Sequence, residues 1–170
     1  MKFEWGDKNK LYVDHIYDIF NRWVLSYPHK KSRINKNGNT IISWGFQTIS
    51  HVAFNPLSEL FLLDKRKVVL NNLIKDHLTE RGLAYWFCDD GGKLDYNKNS
   101  KNKSLVLNTH SFTAEEVNAM SIELYDKFNL MTEVRMNKYK NIIVIKNESY
   151  IKFKDLTYFY IIPSMRNKLP

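Results

Sequence analysis

Two adjacent carboxylates, Asp89 and Asp90, end the apolar run Leu83-Ala-Tyr-Trp-Phe-Cys88, and Gly91 and Gly92 follow at once. Glycine after a helix-forming run stops the helix. The spacing therefore places an acidic pair at a helix C-terminus, where the dipole already disfavours anions. Stability does not call for that arrangement. A divalent cation would offset both the repulsion and the dipole, so a metal site is one reading. An ordinary Asp-Gly turn is the other. Other metal and nucleophile chemistry finds little support. Cys88 is the single cysteine, which excludes an intramolecular disulfide and leaves no zinc cluster, so it reads as a small buried hydrophobe. His15, His29, His51, His77 and His110 show no i, i+4 pairing, which argues against a zinc or histidine-nucleophile site.

The elements that must position the acidic pair come from a duplication. Tyr17-Asp-Ile-Phe-Asn21 recurs as Tyr125-Asp-Lys-Phe-Asn129. Arg33-Ile-Asn-Lys36 recurs as Arg135-Met-Asn-Lys138, and Ser50-His-Val-Ala-Phe54 as Ser149-Tyr-Ile-Lys-Phe153. Three blocks in the same order at so long a period indicate two half-domains, not a solenoid. Each half reads as helix, hairpin, helix. In the first, residues 11–24 put Leu11, His15, Ile16, Ile19, Phe20 and Trp23 on one helical face. Residues 31–47 form a hairpin around Asn37-Gly38, and residues 50–63 a helix that Pro56 kinks or breaks. In the second, Thr113-Ala-Glu-Glu116 is a capping-box start for a helix to about residue 128. Strands at 131–137 and 140–146 and a helix over 149–161 complete that half. It has one further element in front: the helix of about residues 79–90 that carries the acidic pair, followed by an extended pair near 93–97 and 104–111. In the first half only Lys2–Trp5 matches this, as the end of the last strand.

Bulk properties narrow the partners. The net charge of +8 and pI near 9.4 favour a polyanion, nucleic acid or an anionic membrane surface. No apolar run approaches the roughly 20 residues of a membrane span. Eighteen asparagines, with many Lys, Ile, Tyr and Phe, match the codons of an AT-rich genome such as a mitochondrial one.

Leu83-Ala-Tyr-Trp-Phe-Cys-Asp-Asp-Gly91 resembles a LAGLIDADG motif, with Leu83, Ala84, Asp90 and Gly91 in register. The duplicated pattern resembles the same family, the LAGLIDADG homing endonucleases. Pro28-His-Lys-Lys31, Asp89-Asp-Gly-Gly-Lys93, Asp95-Tyr-Asn-Lys-Asn-Ser100, Val106-Leu-Asn-Thr109 and Lys168-Leu-Pro170 are shared with a mitochondrial member. The similarity runs over essentially the whole chain.

The resemblance implies an α+β fold, a pseudo-twofold duplicated αββαββα unit whose first repeat lacks its N-terminal acidic helix. Residues 1–70 would form the incomplete first half-domain and residues 71–170 the second. It implies site-specific cleavage of double-stranded DNA by metal-assisted hydrolysis, with Mg²⁺ as the cofactor, and a mitochondrial, organelle-encoded origin. By register Asp90 is the metal ligand, with Asp89 contributing a backbone carbonyl or a turn bond. Lys67 and Lys168, each following the closing helix of its repeat, match basic active-site residues that orient water or stabilise phosphate charge; taken alone, each reads as a solvated lysine. Lys31, Arg33, Asn35 and Lys36, with Arg135, Asn137 and Lys138, sit in hairpins suited to base edges in the major groove. The loop 93–103 adds Lys93, Lys98 and Lys103 as phosphate contacts, and Asp95 and Asn97 as base contacts.

Trp5, Trp23, Tyr85, Trp86 and Phe87 are expected in the core. Tyr85 stands where the generic motif has glycine. A lone acidic helix would expose the apolar side of Leu83, Trp86 and Phe87, and one aspartate per chain leaves three accounts: a truncated frame, a decayed enzyme or a dimer pairing through residues 79–90. With both motifs the protein would be a monomer. The competing reading is an intron-RNA maturase, binding RNA with no nuclease chemistry.

Overall fold

The computed structural model of the chain describes residues 1–64, 66–97 and 100–170 and separates into two compact units, Met1–Asn55 and Pro56–Pro170. The first contains β1 (Lys2–Gly6), α1 (Lys10–Phe20), β2 (His29–Ile34) and β3 (Thr40–Gln47), in an antiparallel sheet of order β1-β3-β2. Alternation sends Phe3, Trp5, Trp44 and Phe46 to one face. Phe3 lies 5.0 Å from the Phe20 ring and 4.9 Å from Phe46, and Trp5 meets Tyr12 edge-on at 5.2 Å. That aromatic layer pins α1 to the sheet. The helix buries Tyr12, Val13 and Ile16, whereas Leu11 and Ile19 are exposed. The packed face is thus rotated from the expected Leu11, His15 and Ile19 stripe. Aromatic Tyr12 wins because Trp5 offers it a partner. Trp5 and Trp23 end half-buried, Trp23 against His51 and Phe54.

The opposite face of this sheet is open and polar. Its hairpin turn is built on Asn35, whose Oδ1 accepts the N–H groups of Asn37 and Asn39, both at 2.9 Å, with Gly38 at φ +79°. Glu4 on β1 ties all three strands. It accepts from Ser43 of β3 at 2.8 Å and pairs with Lys31 of β2 at 3.0 Å and with Lys2 at 3.2 Å.

The second unit opens with α2 (Asn55–Phe61), the short ladder β4 (Leu62–Leu63) and β5 (Arg66–Lys67), and α3 (Leu73–His77). Pro56 lies in the first turn of α2, where its missing N–H costs nothing. The expected helix over 50–63 is a 3₁₀ turn, Val52–Phe54, followed by α2, and Pro56 lies where the one gives way to the other. Then come α4 (Glu80–Asp90), β6 (Gly91–Lys93), β7 (Leu105–Asn108), α5 (Ala114–Phe128), β8 (Thr132–Asn137), β9 (Lys140–Ile145) and α6 (Tyr150–Thr157), closed by a 3₁₀ segment Pro163–Lys168. The sheet order is β6-β7-β9-β8. Its last three strands repeat the order of the first sheet, with α5 and α6 following the same sequence order as α1 and α2, and the structure is α+β as the duplication implied. The extra material is α4 and β6. The first strand of the extended pair lies earlier than the expected 93–97, at Gly91–Lys93, and the second is shorter than 104–111, at Leu105–Asn108. Leu105, Leu107, Ile143 and Ile145 line the helix side of the sheet with no exposure.

The start of α5 is a full capping box, Thr113 and Glu116 each bonding the other's backbone. Glu116 also accepts from the Val69 N–H at 2.9 Å. Two turns on, the buried Glu123 accepts from the N–H groups of Asn72, Ile74 and Lys75 at 2.8, 2.8 and 3.1 Å. One helix therefore holds the segment 69–75 by its backbone.

Two expectations follow. Glu123→Ala strands three backbone donors and should cost about 3 kcal/mol, measured by denaturant unfolding; a loss below about 1 kcal/mol would contradict the clamp. The Ser43 hydroxyl, then Lys31 and Lys2, lower the Glu4 carboxyl from 4.5 to about 2. A depressed carboxyl stabilises the fold above its ordinary range, and the contribution is lost as pH falls through about 2. Carbon NMR of the Glu4 carboxyl should show that low midpoint, rising in Ser43→Ala. An ordinary midpoint in the parent chain would refute the tie.

Candidate functional site

The acidic helix starts at Thr79, whose hydroxyl accepts from the Gly82 N–H at 3.0 Å. One face, Leu83, Ala84, Phe87 and Cys88, is buried in the unit's own core, with Phe87 against Phe153 at 5.1 Å. Phe87 enters the core as expected, and the apolar side of Leu83 and Phe87 is buried, not exposed as a lone acidic helix would leave it. Tyr85 and Trp86 are half-buried, not core, and Arg81 packs over the Tyr85 ring. Burial pushes the Cys88 thiol up to about 12, as suits an inert core residue.

The other face of α4 borders a groove of ≈ 450 Å³. Gly82, Trp86 and Asp90, spaced by four, line it together with Phe61, Val68 and Met120. The groove is apolar along its length and carries a carboxylate at its end. Lys67 directly precedes Val68 on the exposed β5, opposite Leu62. Its side chain makes no hydrogen bond or ion pair among the described residues.

The last turn of α4 decides how the carboxylates are presented. Gly91 stops the helix in extended backbone, at φ −96°, and its N–H bonds the Phe87 carbonyl. Glycine is required there by contact: a Cβ would lie 2.2 Å from the Phe87 ring and 2.6 Å from its carbonyl oxygen. The next carbonyls are taken by side chains. Lys168 Nζ donates to Cys88 O at 2.5 Å and Asp89 O at 3.3 Å, and Asn108 Nδ2 donates to Asp90 O at 2.8 Å. Lys168 is thus joined to the acidic end.

Oxygen donors at this end suit a hard cation such as Mg²⁺, which is held by one or two carboxylates plus substrate phosphates. Among the described residues no group of three or more His, Cys, Asp or Glu side chains could hold a metal. Asp90, with Asp89 beside it, would hold such an ion only when phosphate oxygens complete its shell.

The residues expected to contact DNA fall mainly on the two hairpins. Lys31 and Arg33 lie on the open face of β2, Lys31 already paired with Glu4. Lys36 lies exposed in the turn, and the Asn35 carbonyl oxygen is spent on that turn, so its amide N–H₂ carries any contact. Arg135 pairs with Glu133 on β8, and Asn137 closes the ladder opposite Lys140. Lys138 and Tyr139, at φ 48° and 65°, make the two-residue turn, a conformation that suits Asn-Gly better. In the loop after β6, Lys93 is half-buried and Asn97 exposed. Asp95 accepts from the Asn97 N–H at 2.9 Å, and the Ser100 side chain followed by that N–H lowers its carboxyl. Lys103 lies over the Tyr150 ring, and Lys98 falls outside the described residues. Sequence reasoning missed Glu4 and Asn108. The traces of the latter were its place in the shared Val106-Leu-Asn-Thr109 run and an asparagine, a poor strand former, closing the apolar Leu105-Val-Leu run.

Residues 1–153 match the LAGLIDADG DNA endonuclease family. The chain is 47% identical over 169 residues to probable intron-encoded endonuclease 1 of Wickerhamomyces canadensis, covering 99% of this chain and 72% of that protein. It is 31% identical over 146 residues to cytochrome b mRNA maturase bI2 of Debaryomyces hansenii, covering 84% of this chain and 52% of the maturase. Its fold superposes on the homing endonuclease I-WcaI, solved bound to its DNA recognition sequence, with a TM-score of 0.96 and 46% identity over 99% of this chain and 74% of the other. The chain belongs to the LAGLIDADG DNA endonuclease family.

Proposed function

We propose that the chain is a site-specific homing endonuclease that grips double-stranded DNA with the polar side chains of its two hairpins and hydrolyses a phosphodiester at the C-terminal end of α4. The observation that carries this is Asp90, held at a helix end whose carbonyls are all occupied, in a chain so similar to a DNA-bound homing endonuclease. A net charge of +8 suits the phosphate backbone.

Recognition falls to Lys31, Arg33 and Lys36 on one hairpin and Arg135, Asn137 and Lys138 on the other, supported by Lys93, Asn97, Lys98 and Lys103. Long donors on alternate strand positions reach base edges, and the lysines hold phosphates. Asp90, with Asp89, binds Mg²⁺ once a phosphate is in place. When bound, the ion supplies activated water and neutralises the charge that develops on the phosphate. Lys168 stiffens the acidic end and brings an ammonium beside it, and Lys67 supplies a second one from β5. A relative named as intron-encoded, together with an amino-acid composition that fits AT-rich codons, supports a mitochondrial gene.

The D. hansenii maturase supports a second reading, binding of intron RNA. Competition between duplex DNA and structured RNA at one stated salt concentration separates the two, since both use the same cations.

Asp90→Asn removes one charge and keeps the shape. It should reduce Mg²⁺-dependent cutting by at least about a thousandfold, roughly 4 kcal/mol in the barrier. DNA affinity in a gel-shift assay should stay within about threefold, because phosphate contacts dominate it. Cutting that survives the substitution would remove Asp90 from the site.

A further inference from the structure

We infer that Asn108 is a positioning residue for Asp90, acting through the backbone of the acidic turn and not through the carboxylate. The inference rests on reading Asp90 as the metal-holding group. Asn108 is the last residue of β7, and its backbone is fixed by pairing with Ile142 of the neighbouring strand. Its side chain donates to the Asp90 carbonyl at 2.8 Å.

Three facts make this more than a surface bond. Backbone pairing between β6 and β7 begins at Gly91, opposite Leu107, so Asp90 lies one residue beyond the ladder. The Asn108 amide extends the ladder onto it. The carbonyl of the final helical residue has no donor within the helix, and here the donor comes from the neighbouring sheet. Lastly, asparagine is a poor strand former, so neither strand propensity nor core packing accounts for this side chain at a half-buried position. Holding the Asp90 carbonyl fixes the peptide plane that follows it, and with it the direction in which its side chain leaves the helix. Lys168 does the same for the two preceding carbonyls.

Asn108→Ala removes the donor, and Asn108→Leu removes it while keeping the branched side-chain shape. Both are made in the full chain and tested on duplexes that the parent protein selects from a randomised pool. Mn²⁺ binding to the protein–DNA complex is followed by electron paramagnetic resonance, independently of cleavage, alongside Mg²⁺ titration of cutting. Partners that orient metal ligands commonly matter by about 10–100-fold in metal affinity. Both variants should raise the half-saturating metal concentration at least tenfold by this measure. DNA affinity and melting temperature should stay close to those of the parent. Should Asn108→Ala fold poorly, Asn108→Leu carries the test. An unchanged metal titration in a folded variant overturns the inference. If Asp90→Asn itself binds Mn²⁺ and cuts normally, the reading of Asp90 falls first and this inference falls with it. Normal metal binding in the Asn108 variants alone leaves that reading intact.

Discussion

The last turn of α4 is the constraint on which the site depends. Two adjacent carboxylates at a helix C-terminus oppose the dipole, each by roughly 0.3–1 kcal/mol when exposed. The same helix buries Leu83 and Phe87 completely, and burying a side chain of that size contributes about 1.5–3 kcal/mol. Packing therefore holds the helix in spite of its charge. What packing cannot do is fix the terminal peptide groups, which face the open end. That task falls to a lysine from the C-terminal segment and an asparagine from the sheet. Their donors compensate the negative end of the dipole in the one turn where the acids make it worse.

The rest of the second unit can be understood as support for this turn. The sheet gives β6 a partner immediately after the helix, so the chain leaves the acidic pair along a fixed path. Helix α5 holds segment 69–75 by backbone N–H groups, and that segment lines the groove beside α4 through Val69, Leu73 and Ile74. A buried carboxylate is a costly way to hold a loop unless its bonds are complete. Glu123 meets that condition with three donors.

Much of this was legible from residues alone. The duplication was readable because Arg33–Lys36 and Arg135–Lys138 occupy equivalent hairpins, and local turn chemistry survives in sequence. The capping box at Thr113 was readable for the same reason. The α1 face was not. Leu11 and Ile19 satisfy helical spacing, but Trp5, on a strand, determines that Tyr12 packs inward. The position of Trp86 was hidden likewise. Residues 83, 86 and 87 share a helical face by count, yet Trp86 turns to the groove while its neighbours enter the core. Helical periodicity cannot distinguish a helix buried on one side from one packed on two.

Asn35 and Asp95 show a further limit. Both are polar residues in exposed segments, the kind that read bases, and both direct a side-chain oxygen at their own backbone. Asn and Asp are favoured in turns for this reason, so composition alone cannot separate a reader from a residue that shapes a reading loop. The distinction has a consequence for specificity. On the proposed reading a turn residue acts on every contact the loop makes, whereas Arg33 or Asn137 would act on a single base. Changes at Asn35 or Asp95 would then reshape recognition across several base pairs, and changes at Arg33 or Asn137 would alter it at one. The two classes occupy the same loops, and only the hydrogen bonds tell them apart.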